Sequence, residues 1–309
     1  MSGANIEQPG ETTIPAKKAA DIIRELPEGQ VSFELNEESS KLTVKSSSGK
    51  YNLSTIPGSD FPDFDVIKSD TTHKITPNKL YELFLKTSFA MANQDWRHYL
   101  NGCLFEKTGS SINMVATDAH RLAIYKSNLE GEGDFTGIVP RKTVIELMKI
   151  LPKQEDEIEF YINSNNIVFM SKKFTFKSKL IDGNYPNYNQ VVPQGEGSKI
   201  TFNRKNMLDS LSRVSVLTSE KFKGVKLKTE SGVLDISAHN PDQESAEEKL
   251  DVTSAGNEFD IAFNVNYLKE VLGTIDEEEI SLISFGSDKS ALVESGDSNQ
   301  VLVLMPLLL

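Results

Sequence analysis

Ile14-Pro15-Ala16-Lys17-Lys18, followed by Ala19-Ala20-Asp21-Ile22-Ile23 and closed by Leu26-Pro27, opens a stretch that the chain writes more than once. Val139-Pro140-Arg141-Lys142 opens the same way, and Leu151-Pro152 closes it again. Pro15 and Pro140 stand 125 residues apart, as do the two Leu-Pro pairs. The first block runs through alternating residues to Phe61-Pro62-Asp63-Phe64. Its counterpart ends at Tyr185-Pro186-Asn187-Tyr188, with Pro186 124 residues beyond Pro62. A fainter third copy starts near Phe263-Asn264 and has Met305-Pro306 near its end. A period this long is the size of a domain, far beyond a solenoid repeat.

A second pattern repeats between these blocks. Lys74-Ile75-Thr76 precedes a helical spacing at Leu80, Leu83 and Phe84, and Lys199-Ile200-Thr201 does the same before Met207, Leu208 and Leu211, again 125 residues on. The Ile14 pattern thus occurs three times and the Lys74 pattern twice. Only 13 residues precede Ile14, whereas roughly 65 precede Val139 within its unit, so roughly 50 residues of the repeat are expected to be missing from the first domain. The expected domains are 1–70, 71–193 and 194–309, the last two joined at the Gly-rich 194–198. Residues 73–309 are expected to fold firmly and 1–70 to be loosely held, with closed assembly of two copies weak or absent, because a unit of roughly 65 residues is near the limit of independent stability.

Each half-unit reads as one helix and about three strands. Helices are expected at 15–25, 78–91, 141–150, 203–213 and 266–271. Alternating runs at Val31–Leu35, Leu42–Lys45 and Tyr51–Ile56 read as strands, with Ser46-Ser47-Ser48-Gly49 as turn chemistry. A full unit should be two helices on antiparallel sheet, an α+β architecture. Hydrophobic residues make up 38% of the chain, enough for buried cores. No secretory leader or membrane-length apolar run is present, and the lone Cys103 excludes an intramolecular disulfide and a cysteine metal cage. The expectation is a cytoplasmic protein.

Net charge is −12, which by itself argues against a nucleic-acid partner. The helix windows say otherwise. They hold Lys17, Lys18, Arg24, Lys79, Lys86, Arg141, Lys142, Lys149, Arg204, Lys205, Arg213 and Lys269 against six acids, a surplus of +6 on an acidic chain. Solvated helix faces give the same count. With the repeat, equivalent helices share one side, and a basic side suits a polyanion held through its phosphates without sequence reading.

Six segments carry a resemblance to a known family: Ala116-Thr117-Asp118-Ala119-His120-Arg121-Leu122-Ala123, Tyr99-Leu100-Asn101-Gly102, Val139-Pro140-Arg141-Lys142, Ser219-Glu220-Lys221-Phe222, Phe263-Asn264-Val265 and Met305-Pro306-Leu307-Leu308-Leu309. In order and spacing, from about residue 9 onward, they resemble the bacterial replicative sliding clamp, the beta subunit of DNA polymerase III. The resemblance implies tandem sliding-clamp domains that form a ring, two chains head to tail around duplex DNA. It also implies a processivity factor without catalysis or cofactor, whose partners are the polymerase III catalytic subunit, the clamp loader and other proteins carrying a clamp-binding motif. The departures are the expected missing half-domain, Ala119 where the family usually has Gly, and Gln190 where many relatives are basic.

Carried over by position, a peptide-docking pocket is lined by Leu100, Thr117, His120, Arg121, Leu122, Pro186, Val191, Asn264, Tyr267, Ser290, Val303, Leu304, Met305, Pro306 and Leu307. DNA-facing residues are Gln94, His98, Tyr99, Arg141, Lys142, Lys149, Arg204 and Lys205; Trp96 and Tyr99 serve equally well as packing residues of a surface loop. An interface between copies sets Lys17, Lys18, Tyr51 and Leu53 against Val216, Leu217, Asp242, Glu244, Glu247 and Glu248. Asp118 and His120 alone offer too few ligands for a metal, and no phosphate loop, nucleophile elbow or zinc motif occurs. Two rivals stay open: an enzyme on duplicated α+β units, and a truncated clamp paralogue that binds peptides without closing on DNA.

Overall fold

The structure, a computed structural model, describes residues 5–61, 71–219, 221, 223–230, 232–255 and 260–308. The block ending Pro62-Asp63-Phe64, part of the Ser219–Phe222 segment and Leu309 lie outside the described residues. The chain divides into two compact units, Met1–Ile67 and Lys68–Leu309.

In the first unit, helix α1 (Ala16–Glu25) begins directly after Pro15 and stops at Leu26, whose extended backbone is what a following proline requires. Strands Ser32–Asn36, Lys41–Lys45 and Lys50–Ser54 form a three-stranded antiparallel sheet. Leu42, Val44 and Leu53 are its buried residues, with Ile14, Ala19, Ile22, Leu26, Val31 and Leu35 packed on them. This corrects one expectation. Leu53 pairs in register with Leu42 and faces the core, only 6% exposed, so it is not available to a second copy.

The second unit holds α2 (Pro77–Leu85), α3 (Arg141–Ile150), α4 (Arg204–Val214) and α5 (Val265–Gly273). Three of them start on a side-chain cap. Thr76 accepts from the Lys79 amide, Asn203 from the Asn206 amide, and Asn264 from the amides of Asn266 and Tyr267. Apolar residues at three- and four-residue spacing turn inward, as in Leu80, Leu83 and Phe84 of α2 and Val265, Leu268, Val271 and Leu272 of α5. Helix α2 packs on α3, and α4 on α5. The expected helix over 78–91 ends early: the Thr87 hydroxyl bonds the Leu83 carbonyl at 2.7 Å, and a separate single turn follows at Ser88–Ala90.

The strands of this unit form a nine-stranded antiparallel sheet and two four-stranded ones. In the large sheet, Arg121–Asn128 pairs with Gln300–Leu304, so residues expected in separate central and C-terminal domains share one sheet. Strand alternation gives this sheet two apolar faces. Cys103, Phe105, Met114, Ala116, Ala123, Val139, Leu302 and Leu304 join the helix residues in the main core. Leu104, Val115, Leu122, Ile124, Ile138 and Val303 form a second cluster on the opposite face, covered by Ile181, Tyr185, Tyr188 and Val192. Helices thus cover one face and the 181–192 loop the other. Cys103 is fully buried, and burial pushes its thiol up to about 12, leaving it a small apolar filler.

Candidate functional site

The turn Thr117–Arg121 between two strands of the large sheet is built by its own polar side chains. The Thr117 hydroxyl donates to the Arg121 carbonyl at 2.6 Å and accepts from the Ala119 amide at 3.1 Å. Asp118 Oδ1 accepts from the amides of His120 (2.9 Å) and Arg121 (3.1 Å). Ala119 is held at φ +75°, a left-handed conformation that costs an L-residue and not a glycine.

Arg121 leaves this turn and goes inward. Its guanidinium donates to Asp118 Oδ2 at 3.1 Å, to the Phe89 carbonyl at 2.6 Å and to the Glu270 carboxylate on α5. It also lies over the rings of Tyr267, 4.5 Å from the centroid, and Phe89, at 5.3 Å. With 8% of its side chain exposed, every polar edge is spent inside the protein. Arg121 therefore supports the surface from beneath.

Around this pin the expected docking residues converge. The Met305 amide donates to the His120 carbonyl at 2.8 Å, and Leu307 N to the Ala262 carbonyl at 2.7 Å. Val303 pairs with Leu122, and Leu304 with Arg121. His120 stacks on Tyr267 with centroids 5.9 Å apart, and Asn264 caps the helix carrying Tyr267. Leu100, Leu122, Val303 and Leu304 are buried, Leu122 and Val303 on the loop-covered face of the sheet and Leu304 on the helical face. His120, Met305, Pro186 and Val191 are exposed, the last two on the 181–192 loop over the same face. Pro306, Leu307, Asn264, Tyr267 and Ser290 are partly exposed, Ser290 one residue before the Ala291 that pairs with Leu304. An apolar surface with a Tyr and a His on its rim can take the side chains of an extended peptide.

The expected DNA-facing residues lie elsewhere. Lys142 and Lys149 of α3 and Lys205 of α4 are exposed on the helical side, while Arg141 and Arg204 are half-buried and donate to the carbonyls of Met91 and Glu277. Lys86 is a correction to the basic helix count. It is buried, its ammonium held by the Thr274 carbonyl at 2.8 Å and Asp276 at 2.6 Å. Gln94 and His98 are exposed and Tyr99 is half-buried against the second apolar cluster. Trp96 is 82% exposed, its ring covered only by the Arg97 guanidinium 5.8 Å from the centroid among the described residues. Its loop is fixed by Asp95, whose carboxyl is held down at about 2 by hydrogen bonds from Arg97.

Of the expected interface residues, Lys17, Lys18, Tyr51, Val216, Asp242, Glu244 and Glu247 are exposed and Leu217 is partly so. Glu248 is engaged by Arg213 at 2.5 Å within the chain. Among the described residues there is no grouping of three or more His, Cys, Asp or Glu side chains that could hold a metal ion.

Repeated helix-on-sheet units, with the expected docking residues gathered in one place and exposed lysines on the helices, are the pattern of a sliding clamp. Comparison with known proteins shows the family. Residues 74–187 match the family model described as DNA polymerase III beta subunit, central domain; residues 189–308 match its C-terminal domain, and residues 2–65 its N-terminal domain. The beta sliding clamp of Pseudomonas aeruginosa is 39% identical over 303 residues, 97% of this chain and 82% of that protein, as is that of Escherichia coli. The crystal structure of the P. aeruginosa DNA polymerase III beta subunit superposes with a TM-score of 0.93 at 38% identity, covering 99% of this chain and 84% of that one. A sliding clamp from Bacillus subtilis superposes equally well, at TM-score 0.93 and 27% identity. The chain belongs to the bacterial DNA polymerase III beta-subunit family, the beta sliding clamps. The expectation of a first domain lacking half its pattern is not borne out, since all three domain models are matched.

Proposed function

We propose that this chain is a replicative clamp that closes with a second copy around duplex DNA and tethers the polymerase III catalytic subunit and the clamp loader through the His120–Met305 surface. The observation that carries the reading is the two-sided sheet. Exposed Lys142, Lys149 and Lys205 stand on the helical side, and the docking surface lies by the loop that covers the opposite face. Phosphates and partner peptides then occupy different faces and can be bound together. A few lysines without base-reading geometry hold a polyanion and let it slide. The same reading assigns no catalysis to the chain, three domains over 1–70, 71–193 and 194–309, and a cytoplasmic location. Among the described residues no helix is long and apolar enough to cross a membrane.

Closure would bring Lys17, Lys18 and Tyr51 of one copy against Val216, Leu217, Asp242, Glu244 and Glu247 of the other, opposite charges around an apolar centre. The test separates the two faces. Replacing Lys142, Lys149 and Lys205 with Glu should weaken association with duplex DNA and flatten its salt slope by roughly one unit for each phosphate no longer neutralised. Peptide binding should persist. Removing the residues after Pro306 should lower affinity for a Leu- and Phe-bearing peptide at least about tenfold, and leave DNA association unchanged. A lysine variant with wild-type affinity and salt slope would remove the helical side from the DNA path.

A further inference from the structure

Beside the docking surface lies a cavity of about 720 Å³ on the loop-covered face of the large sheet. Its walls are strand residues Leu104, Glu106 and Thr136–Ile138 and the whole 179–189 segment, Pro186 included. The volume is that of a ligand pocket. Unlike the docking surface, its lining is polar: Asn165, Asn184, Asn187 and Asn189 contribute amides, and Glu106, Asp182 and Lys179 contribute charge.

Glu106 is the organised member. Its Oε1 accepts from the Tyr188 hydroxyl and from Asn113 Nδ2 at 3.3 Å, while Oε2 accepts no hydrogen bond among the described residues. Burial and the neighbouring Glu106 push the Tyr188 phenol up, so it stays a neutral donor. The carboxylate is therefore fixed through one oxygen and open at the other. Lys179 is exposed on its flexible stem and forms no ion pair among the described residues, so it can swing aside where Glu106 cannot. With two acids against one base, the cavity favours a cation.

We propose that this cavity is a second pocket of the partner-binding surface, taking a lysine or arginine side chain that a partner peptide carries beside its apolar anchor. Pro186 belongs to both sites and makes them continuous. The peptide's basic group reaches Glu106 Oε2, and the asparagine amides, each both donor and acceptor, pair with its main chain. The inference rests on the docking reading above.

The experiment is a double-mutant cycle by fluorescence anisotropy. The probes are a Leu- and Phe-bearing anchor peptide, the same peptide extended through a short alanine spacer by lysine at either end, and the matching glutamine extensions. Lysine at one end should tighten binding to the wild-type chain about tenfold over glutamine, as a charge-assisted hydrogen bond would. Glu106→Gln should abolish that advantage while keeping an acceptor for Tyr188, and Asp182→Asn should reduce it. No lysine advantage at either end, or one that persists in both variants, overturns the inference. Failure of the bare anchor peptide to bind the wild-type chain is a different result, and it removes the docking reading together with this one.

Discussion

Arg121→Ala measures whether Arg121 is a buried pin or a ligand-facing cation. In the wild-type chain its side chain is 8% exposed and that of Asp118, the more buried of its two ion partners, 13%. Removing one member of a buried pair leaves the other charged and unsolvated, at a cost of about 3–5 kcal/mol. The Phe89 carbonyl also loses its donor, whereas Glu270, with a 52% exposed side chain, recovers water and adds little. These interactions form one network, so they do not sum, and we expect a loss of about 4 kcal/mol for the larger unit. For a unit of that size this lowers Tm by about 8–16 °C. Far-UV circular dichroism during chemical and thermal unfolding is the readout, because the single tryptophan, Trp96, is exposed and a poor reporter. Arg121→Met keeps the stem and should recover only the packing part. A loss below about 1 kcal/mol would refute the reasoning and return the guanidinium to the docking surface.

Two further outcomes follow from strained or orphaned groups. His73 is buried between Phe135 and Phe160 with no partner for Nδ1 among the described residues, and burial followed by nearby Lys107 pulls its pKa down. The unfolded chain takes up a proton near its ordinary pKa of about 6.5 that the folded chain refuses, so stability falls as pH drops through that value, by at most about 1.4 kcal/mol per unit. His73→Phe should flatten this slope in urea unfolding at about pH 7.5 and about pH 5.5, the other histidines being exposed; an unchanged slope would place the titration elsewhere. Ala119→Gly relieves the left-handed strain at φ +75° and should raise stability by up to about 1 kcal/mol, part of the gain being offset by the unfolded chain. A less stable glycine variant would show that the turn carries no such strain.

The helices and the three strands of the first unit were legible because the repeat reuses its punctuation, Pro15 and Pro140 before a helix and Leu26-Pro27 and Leu151-Pro152 after it. Leu53 was misread because alternation fixes which residues share a face without saying which face is inside. Lys86 counts in sequence as one more surface lysine. Its ammonium meets Asp276 across 190 residues of chain, and no local pattern announces that. The same holds for Arg121 and Glu270, 149 residues apart. The proposed docking residues were nameable by resemblance, but which of them are buried and which exposed needed the register of Arg121–Asn128 on Gln300–Leu304. The cavity at Glu106 had no sequence signature, since its walls are ordinary strand and loop residues that only folding assembles.

That same register sets an order of synthesis. Strand Gln300–Leu304 sits between Arg121–Asn128 and Ala291–Glu294, in the interior of the nine-stranded sheet, yet it follows both neighbours along the chain. Until it emerges from the ribosome, each neighbour presents an unpaired backbone edge and half of an apolar face to the cell. A message cut short before codon 300 would therefore yield two sticky half-sheets in place of one slightly shorter protein. The edge of Arg121–Asn128 stays open from its own emergence until residue 304 clears the ribosome, and over that long interval the nascent chain is exposed to wrong pairing.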